Sequence, residues 1–222
     1  MADFENQIEA VTNFTFGEEP APTTTQLTDF LTEGAKEVIN RISVTAPHEL
    51  VNFTTSTTVS DGNGTDVNNG LIVSVARADG VNAANLEPCS LISSDLRARA
   101  TDVNSLHYAS KFNPVYYILD STLFVLPAPS DSGVNKAIVS EVAYPTVNYN
   151  ASSISNFPDK YEYLVVLYAT KRTLESIMAY YAGNEEDIEL VQAIGPSLQM
   201  VQSNYDTAFG LITPGDARTE EE

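Results

Sequence analysis

Hydrophobic positions along the chain follow a helical spacing near both ends and a strand-like pattern in the middle. The most apolar stretch is Phe157–Tyr181, in which every residue of Tyr163–Ala169 is apolar or aromatic. Pro158 suits the first position of a helix, and Asp159 and Glu162 place negative charge where the helix dipole favours it. Because a helix that is apolar all round is buried all round, we predict that this end lies inside a packed core.

Past residue 170 the same stretch narrows to a one-sided apolar stripe, which predicts a single buried face. The stripe consists of Leu174, Ile177, Met178 and Tyr181. A strand is the alternative, because Val165, Val166 and Tyr168 are residue types that strands favour. The length of the stretch, its proline start and the later spacing of three and four residues favour a helix.

The clearest amphipathic pattern is Leu27–Ile42, which predicts a helix that Thr24 or Thr25 can cap. Gly34 lies on its apolar face. A helix interior tolerates glycine mainly where another backbone comes close, so we expect a close neighbour there. Residues 3–12 form a shorter pattern, which predicts either a helix or a docking arm.

The last helical pattern follows a break and a new cap at Asn184 and continues to Phe209. Gly195 and Pro196 should kink this helix or divide it in two. Gly210 can end it, and the residues beyond are predicted to be extended.

Residues 49–154 carry β-branched runs separated by turn residues. A long loop of turn residues occupies 60–70. We expect a small, mostly antiparallel sheet of about four to six strands. The predicted strands are Val51–Val59, Leu71–Ala78, Val115–Leu119, Leu123–Leu126 and Ala137–Tyr144, and the predicted short helix is Leu91–Ala100.

These patterns predict an α+β fold, in which a helical bundle from the N- and C-terminal helices carries a β-rich insertion. The N-terminal helices of the bundle take 1–48, and its C-terminal helices take 155–210. The β-rich insertion domain takes 49–154, and 211–222 form an extended acidic tail. Neither pair of helices can bury its apolar faces alone, so the two pairs should pack together.

Charge narrows the classes of function. The 222 residues include 30 acids and 11 bases, for a net charge of −19. This balance argues against a protein that grips nucleic acid by its phosphates, which needs clustered lysine and arginine. No apolar run is long enough to span a membrane, and the acidic start differs from a secretory signal, so we expect production in a cytoplasm.

The chain offers little for catalysis or metal binding, and we predict no catalytic, metal or cofactor-binding residue. His48 and His107 have no carboxylate or cysteine at ligand spacing, and Cys89 is the only cysteine. Asp61–Asp66 superficially resembles part of a calcium loop. When Gly64 is aligned with the glycine of a calcium-binding loop, the first and last ligand positions fall on Val59 and Gly70. Neither side chain can bind calcium, so a turn is the better interpretation. The 11 tyrosines are better explained by packing than by base stacking, since few cations lie near them.

Several segments resemble a family of virion proteins. Phe157–Thr170 opens with proline and an acid and then runs apolar through tyrosine and alanine. It is similar to the segment that head-to-tail connector proteins of tailed bacteriophages carry after their β insertion. The first long helix, Leu27–Ile42 with its segment Gly34–Arg41, looks like the matching leading helix. Val75–Gly80, Ser105–Tyr117 and Leu123–Pro129 look like virion-protein sequence. In organisation the chain resembles the adaptor, or gatekeeper, of short-tailed T7-like phages.

The resemblance implies a structural protein of the virion's head–tail connector, made in the host cytoplasm, with no enzymatic activity. It implies a homo-oligomeric ring of about twelve copies below the portal protein. Such a ring extends the DNA channel and provides the docking platform for the tail, nozzle or tail-tube protein. The bundle would form the ring body, the sheet would face the next component, and DNA would pass the acidic lumen without tight binding.

Two groups of residues are candidates for these contacts. The expected subunit interface is an exposed stripe of Leu174, Ile177, Met178, Tyr180 and Tyr181. The expected portal-docking tail contains Leu211, Ile212 and Pro214. A disordered acidic tail without a role is the alternative for the second group.

Two other functions remain open at the level of sequence. One is another neck, tail-completion or terminator ring protein of the virion. The other is a soluble non-phage binding protein or hydrolase. A pocket lined by convergent acids with raised pKa values would favour the second.

Overall fold

The computed structural model describes residues 2–67, 71–185 and 188–212. The predicted α+β class is confirmed, since the chain combines long helices with two four-stranded sheets. The helices are α1 (Phe4–Thr12), α2 (Thr24–Thr45), α3 (Arg97–Thr101), α4 (Asp159–Tyr180) and α5 (Ile188–Ile212). The strands are β1 (Thr54–Val59), β2 (Thr65–Asp66), β3 (Ile72–Ala78), β4 (Leu86–Pro88), β5 (Ser90–Leu91), β6 (Val115–Leu119), β7 (Thr122–Leu126) and β8 (Ala137–Val142).

The chain divides into two compact units. The helical unit consists of Met1–Phe53 with Tyr144–Glu222, and the inserted unit is Thr54–Ala143. Residues 49–53, for which the sequence predicted the insertion, instead complete the 3-10 helix Pro47–Phe53 of the helical unit. Phe53 is fully buried there, and its ring lies 5.1 Å from that of Phe157. Residues 144–154 belong to the helical unit as well.

Helix α4 is the centre of the helical unit, where α1, α2 and α5 all pack against it. Leu164 and Val165 are fully buried, and Val166 and Leu167 are nearly so, as the apolar run predicted. The prediction that this end of the helix is buried on every side is wrong at Tyr163, which is 54% exposed. The neighbouring helices therefore leave one edge of α4 open to solvent.

Gly34 lies where α2 packs tightly against α4. A Cβ placed on this residue would lie 3.0 Å from Cδ1 of Tyr168 and 3.3 Å from the backbone oxygen of Val165. The predicted close neighbour is thereby confirmed. Any larger residue would push α2 away from α4.

The amino end of α2 is capped one residue earlier than predicted. The Thr23 side chain accepts from the backbone N–H of Gln26 at 3.3 Å, and the Gln26 side chain accepts from the Thr23 N–H at 2.9 Å. Two donors of the first turn are thus satisfied reciprocally. The reciprocal pair of hydrogen bonds needs a glutamine or glutamate three residues after the capping residue. Gln26 has that spacing from Thr23 and not from Thr24 or Thr25, so Thr23 is the cap.

Helix α5 is continuous through Pro196, so the predicted division is wrong. Gly195 offers a reason, because a proline ring clashes with the Cβ of a preceding helical residue and glycine has none. Between α4 and α5 the chain makes a π-helical turn at Tyr181–Glu185, where the sequence predicted a break. The proposed cap formed by Asn184 and Asp187 lies outside the described side chains.

The inserted unit contains two sheets rather than the single sheet predicted. Their strand orders are β1-β8-β3-β4 and β2-β7-β6-β5. Every pairing is antiparallel except β5 with β6. The helix predicted at Leu91–Ala100 begins as β5 and becomes helical only at Ser94, because Ser90 and Leu91 pair with the edge of β6.

A common apolar core joins the two sheets. It is formed by Val59, Val75, Ala137 and Val139 from the first sheet and by Leu123 and Val125 from the second. Cys89 packs at the edge of this core, and burial raises the pKa of its thiol to about 12. The thiol is therefore protonated and unreactive at neutral pH.

Arg77 is the largest fully buried side chain of the inserted unit. Its Nε donates to the Pro127 oxygen at 2.8 Å, and its Nη1 donates to the Ala78 oxygen at 2.6 Å. Burial lowers the pKa of this guanidinium, and the charge of Asp131 opposes that effect. Arg77 thus links β3 to the segment after β7, and its role is structural.

Candidate interaction surfaces

Groups that could perform chemistry are dispersed over the described part of the chain. His48 lies in the 3-10 helix Pro47–Phe53 and His107 in a loop, and both are exposed. The Asp61 carboxylate accepts from the Asn63 backbone N–H at 2.9 Å, so this segment is the turn that the sequence favoured. Within residues 2–67, 71–185 and 188–212, no group of three or more histidines, cysteines or acids could hold a metal ion.

Glu162 is a buried acid of the helical unit. Its Oε1 accepts from the Ile154 N–H at 2.6 Å, which ties the segment before α4 to the helix. Burial raises the pKa of this carboxyl, and the hydrogen bond from Ile154 opposes the shift. A raised pKa in the folded state means that folding takes up a proton, so stability falls as the pH rises through that pKa.

We expect Glu162→Gln to stabilise the protein at neutral pH, since glutamine retains the acceptor oxygen without a buried charge. Urea unfolding of both proteins, followed between pH 4 and pH 8, is the measurement. The difference in unfolding free energy should shrink toward the acidic end, where Glu162 is protonated in both states. A difference that is independent of pH would contradict this interpretation.

The expected interface stripe on α4 is exposed only in part. Leu174 and Ile177 are 3% and 0% exposed, so the prediction of an exposed stripe is wrong for both. They belong to the core that α4 forms with its neighbouring helices. Met178, Tyr180 and Tyr181 are half-buried, and the Tyr180 hydroxyl donates to Oε2 of Glu19 at 2.8 Å. The end of α4 is therefore covered partly by the chain's own segment between α1 and α2.

The expected portal-docking segment begins as helix. Leu211 and Ile212 form the end of α5, so the extended conformation predicted after Phe209 is wrong for these two residues. A helix tolerates Gly210 at a cost of about 1 kcal/mol, which α5 offsets through its contacts with α4. Leu211 is 77% exposed and stays available to a partner. Pro214 lies outside the described residues.

Negative charge is concentrated in the helical unit. That unit has 21 acids and 6 bases, and the inserted unit has 9 acids and 5 bases. Four bases of the helical unit form ion pairs with its own acids. They are Arg41 with Glu37 and Asp206, Lys160 with Glu49, Lys171 with Glu175, and Arg172 with Glu33 and Glu175. The described helical unit therefore lacks the basic face that gripping a phosphate backbone requires.

Two shallow grooves follow α5. One, of about 570 Å³, lies between α4 and α5, and Lys171 and Asp206 are among the residues that line it. The other, of about 530 Å³, is lined by Asn40, Arg41, Val44, Thr45 and Phe209. We call the second the α2–α5 groove. Val44 in its wall is 81% exposed.

The inserted unit exposes several large apolar side chains in and beside Ser105–Tyr117, a segment that resembles virion-protein sequence but was not predicted to be a contact surface. Residues 102–113, here called the apolar loop, follow α3. Four of their large apolar side chains face solvent, with exposed fractions of 104% for Leu106, 74% for Phe112, 69% for Val103 and 40% for Tyr108. The only sequence signal is four such residues in a stretch without helical or strand spacing.

Comparison with known protein families and with curated proteins finds no match to this sequence. Among the described residues, no helix combines the length and the apolar character needed to cross a lipid bilayer.

Proposed function

We propose that the protein is a virion structural protein that forms the head-to-tail adaptor ring of a tailed bacteriophage, attached below the portal. The observation that supports this most directly is the order of its parts. Helices from both chain ends build one unit, and a β unit is inserted between them. This is the organisation that the resemblance of Leu27–Ile42 and Phe157–Thr170 to connector proteins implies.

The charge distribution supports a role beside DNA rather than on it. Copies of the helical unit around a ring would surround the channel with a large surplus of acids. Like charge keeps a duplex from adhering during packaging and ejection. A tight, salt-sensitive complex of the isolated protein with duplex DNA would contradict this part of the proposal.

The test of the proposal is the mass of the protein mixed with purified portal rings. We expect a complex that is heavier than the portal by about twelve copies of this chain, with the copies forming one ring. An unrelated protein of similar size and acidity serves as the control for charge-driven association. If portal rings stay at their own mass with the protein in excess, the adaptor role is wrong.

Another neck or tail-completion ring protein is the nearest alternative. It predicts binding to a tail-tube ring and none to the portal, so the same mixing experiment separates the two. A hydrolase finds less support, because Glu5 and Glu162, the acids with raised pKa values in the described part of the chain, line neither groove along α5.

A further inference from the structure

We propose that the free edge of β1 pairs antiparallel with β1 of a second copy of this chain, so that one sheet continues from copy to copy. Such a contact relates the two copies by a two-fold axis and closes at a dimer. A ring of about twelve copies needs a different, head-to-tail contact. The inference therefore goes beyond the proposed adaptor role and does not depend on it.

One edge of β1 is covered by no described strand. β1 stands at the end of the order β1-β8-β3-β4. In an antiparallel ladder, every second residue turns its N–H and C=O away from the partner strand. In the part of the chain that the structure describes, no group outside β8 forms a hydrogen bond with the backbone of Thr55–Val59. Ser56, Thr57 and Thr58 are also exposed, so the outward groups of β1 are available to another strand.

The other three edges of the two described sheets are short. β4 has three residues and includes Pro88, which has no N–H to donate, and β2 and β5 have two residues each. Short edge strands, proline and charged side chains are common means by which proteins keep a sheet edge from pairing with another chain. β1 has six residues without proline or charge, and it pairs with β8 without a bulge. Among the described edges it is therefore the one suited to accept a strand.

Charge favours a second copy of the same strand as the occupant. Copies of a chain with a net charge of −19 repel each other, and they approach most easily where neither carries charge. β1 lies in such a stretch, because Leu50–Ser60 contains no charged residue. A two-fold axis at the centre of β1 places Ser56 opposite Thr57 of the second copy, and Thr55 opposite Thr58. Pairs of threonine and serine across two strands are favourable.

The residues beside β1 fit the same arrangement. Ser56 already makes a pair of this kind inside the sheet, where its hydroxyl oxygen lies 3.0 Å from that of Ser140 on β8. Asp61 is the first charged residue after β1. Antiparallel pairing places the two copies of Asp61 at opposite ends of the pair, so that these like charges stay apart.

The dimer is expected to be weak. A six-residue edge buries less surface than the roughly 1,200–2,000 Å² of a stable interface. Its backbone hydrogen bonds replace bonds to water, so their net gain is small as well. We expect dimers to form at protein concentrations between about ten micromolar and one millimolar.

Two double variants of the full chain test the pairing through charge. One carries Ser56→Lys with Thr57→Lys, and the other carries Ser56→Glu with Thr57→Glu. Either variant alone places like charges opposite each other twice, so it should lose affinity for itself by roughly tenfold. An equimolar mixture places lysine opposite glutamate and should restore the dimer. Both positions are exposed, so the fold should be retained, which circular dichroism checks.

The matched controls carry the same charges on β5, an edge of the other sheet. They are Ser90→Lys with Leu91→Lys, and Ser90→Glu with Leu91→Glu. Both residues are exposed, and β5 has only two residues. The controls should dimerise like the unchanged protein, both alone and when mixed, because their charges lie away from β1.

Sedimentation equilibrium at concentrations up to millimolar gives the affinities, and amide hydrogen exchange locates the contact. In the unchanged protein, exchange at alternate residues of β1 should slow as the concentration rises, because the outward N–H groups become hydrogen-bonded. Exchange in β4 should not depend on the concentration.

The inference is wrong if the unchanged protein remains monomeric at millimolar concentration, if the lysine and glutamate variants of β1 keep its affinity, or if their mixture recovers no dimer. It is also wrong if mixing raises the affinity of the β5 controls as much as that of the β1 variants, or if exchange in β1 does not slow. Portal binding is a separate result. Its failure removes the adaptor proposal and leaves the β1 pair, and failure of the β1 pair leaves the adaptor proposal.

Discussion

Replacing Leu167 with aspartate is expected to prevent folding. Leu167 is 3% exposed in α4, the helix against which α1, α2 and α5 all pack. An unpaired carboxylate at this position loses its hydration without gaining a partner, at a cost of several kcal/mol. Domains of this kind are stable by only about 5–15 kcal/mol, so the substitution removes most or all of that margin.

The matched control for Leu167→Asp is Tyr163→Asp, one helical turn earlier on α4. Tyr163 is 54% exposed, and aspartate suits the first turns of a helix. We expect its unfolding free energy to change by less than about 1 kcal/mol. Solubility, far-ultraviolet circular dichroism and urea unfolding are the measurements. A soluble Leu167→Asp protein with the helical content of the unchanged chain would show that α4 is not the centre of the core.

Gly34→Leu should destabilise the helical unit by at least about 1–3 kcal/mol, the usual cost of inserting extra volume into a packed core. Even a Cβ at this position lies 3.0 Å from Tyr168 and 3.3 Å from a backbone oxygen of α4, so the rest of a leucine side chain has no space. The helices would have to separate, which would expose Leu31 and Val38 of α2. The midpoint of urea unfolding measures the change.

Gly210→Ala in α5 is the control for Gly34→Leu. A Cβ on Gly210 would meet no heavy atom within 4 Å, so alanine there brings only its better helix propensity. We expect the unfolding free energy to rise by up to about 1 kcal/mol. Equal effects of the two substitutions would mean that helix propensity, rather than the contact of α2 with α4, decides the role of Gly34.

Features that depend on local pattern could be predicted from the amino-acid sequence. The 3.6-residue spacing of Leu27–Ile42 was sufficient to predict α2, which buries one continuous face. The length of Phe157–Tyr181, its proline start and its later spacing of three and four residues predicted α4. β-branched runs bounded by turn residues predicted β3, β6, β7 and β8 within a few residues. Gly34 could be assigned to a close helix contact because a glycine in a helix interior is otherwise unfavourable.

Which apolar side chains are buried and which stay exposed depends on tertiary contacts that the sequence pattern does not record. Leu174 and Ile177 looked like an exposed stripe, yet neighbouring helices cover both. Leu106 and Phe112 carried no periodic signal, yet the inserted unit holds them in solvent. The sequence shows that a residue is apolar and how such residues are spaced. Whether the residue is buried depends on the distant segments that pack against it. The presence of two sheets instead of one has the same explanation. Side chains of β3 in one sheet and of β7 in the other pack into a shared core, and this contact joins segments that are distant along the chain.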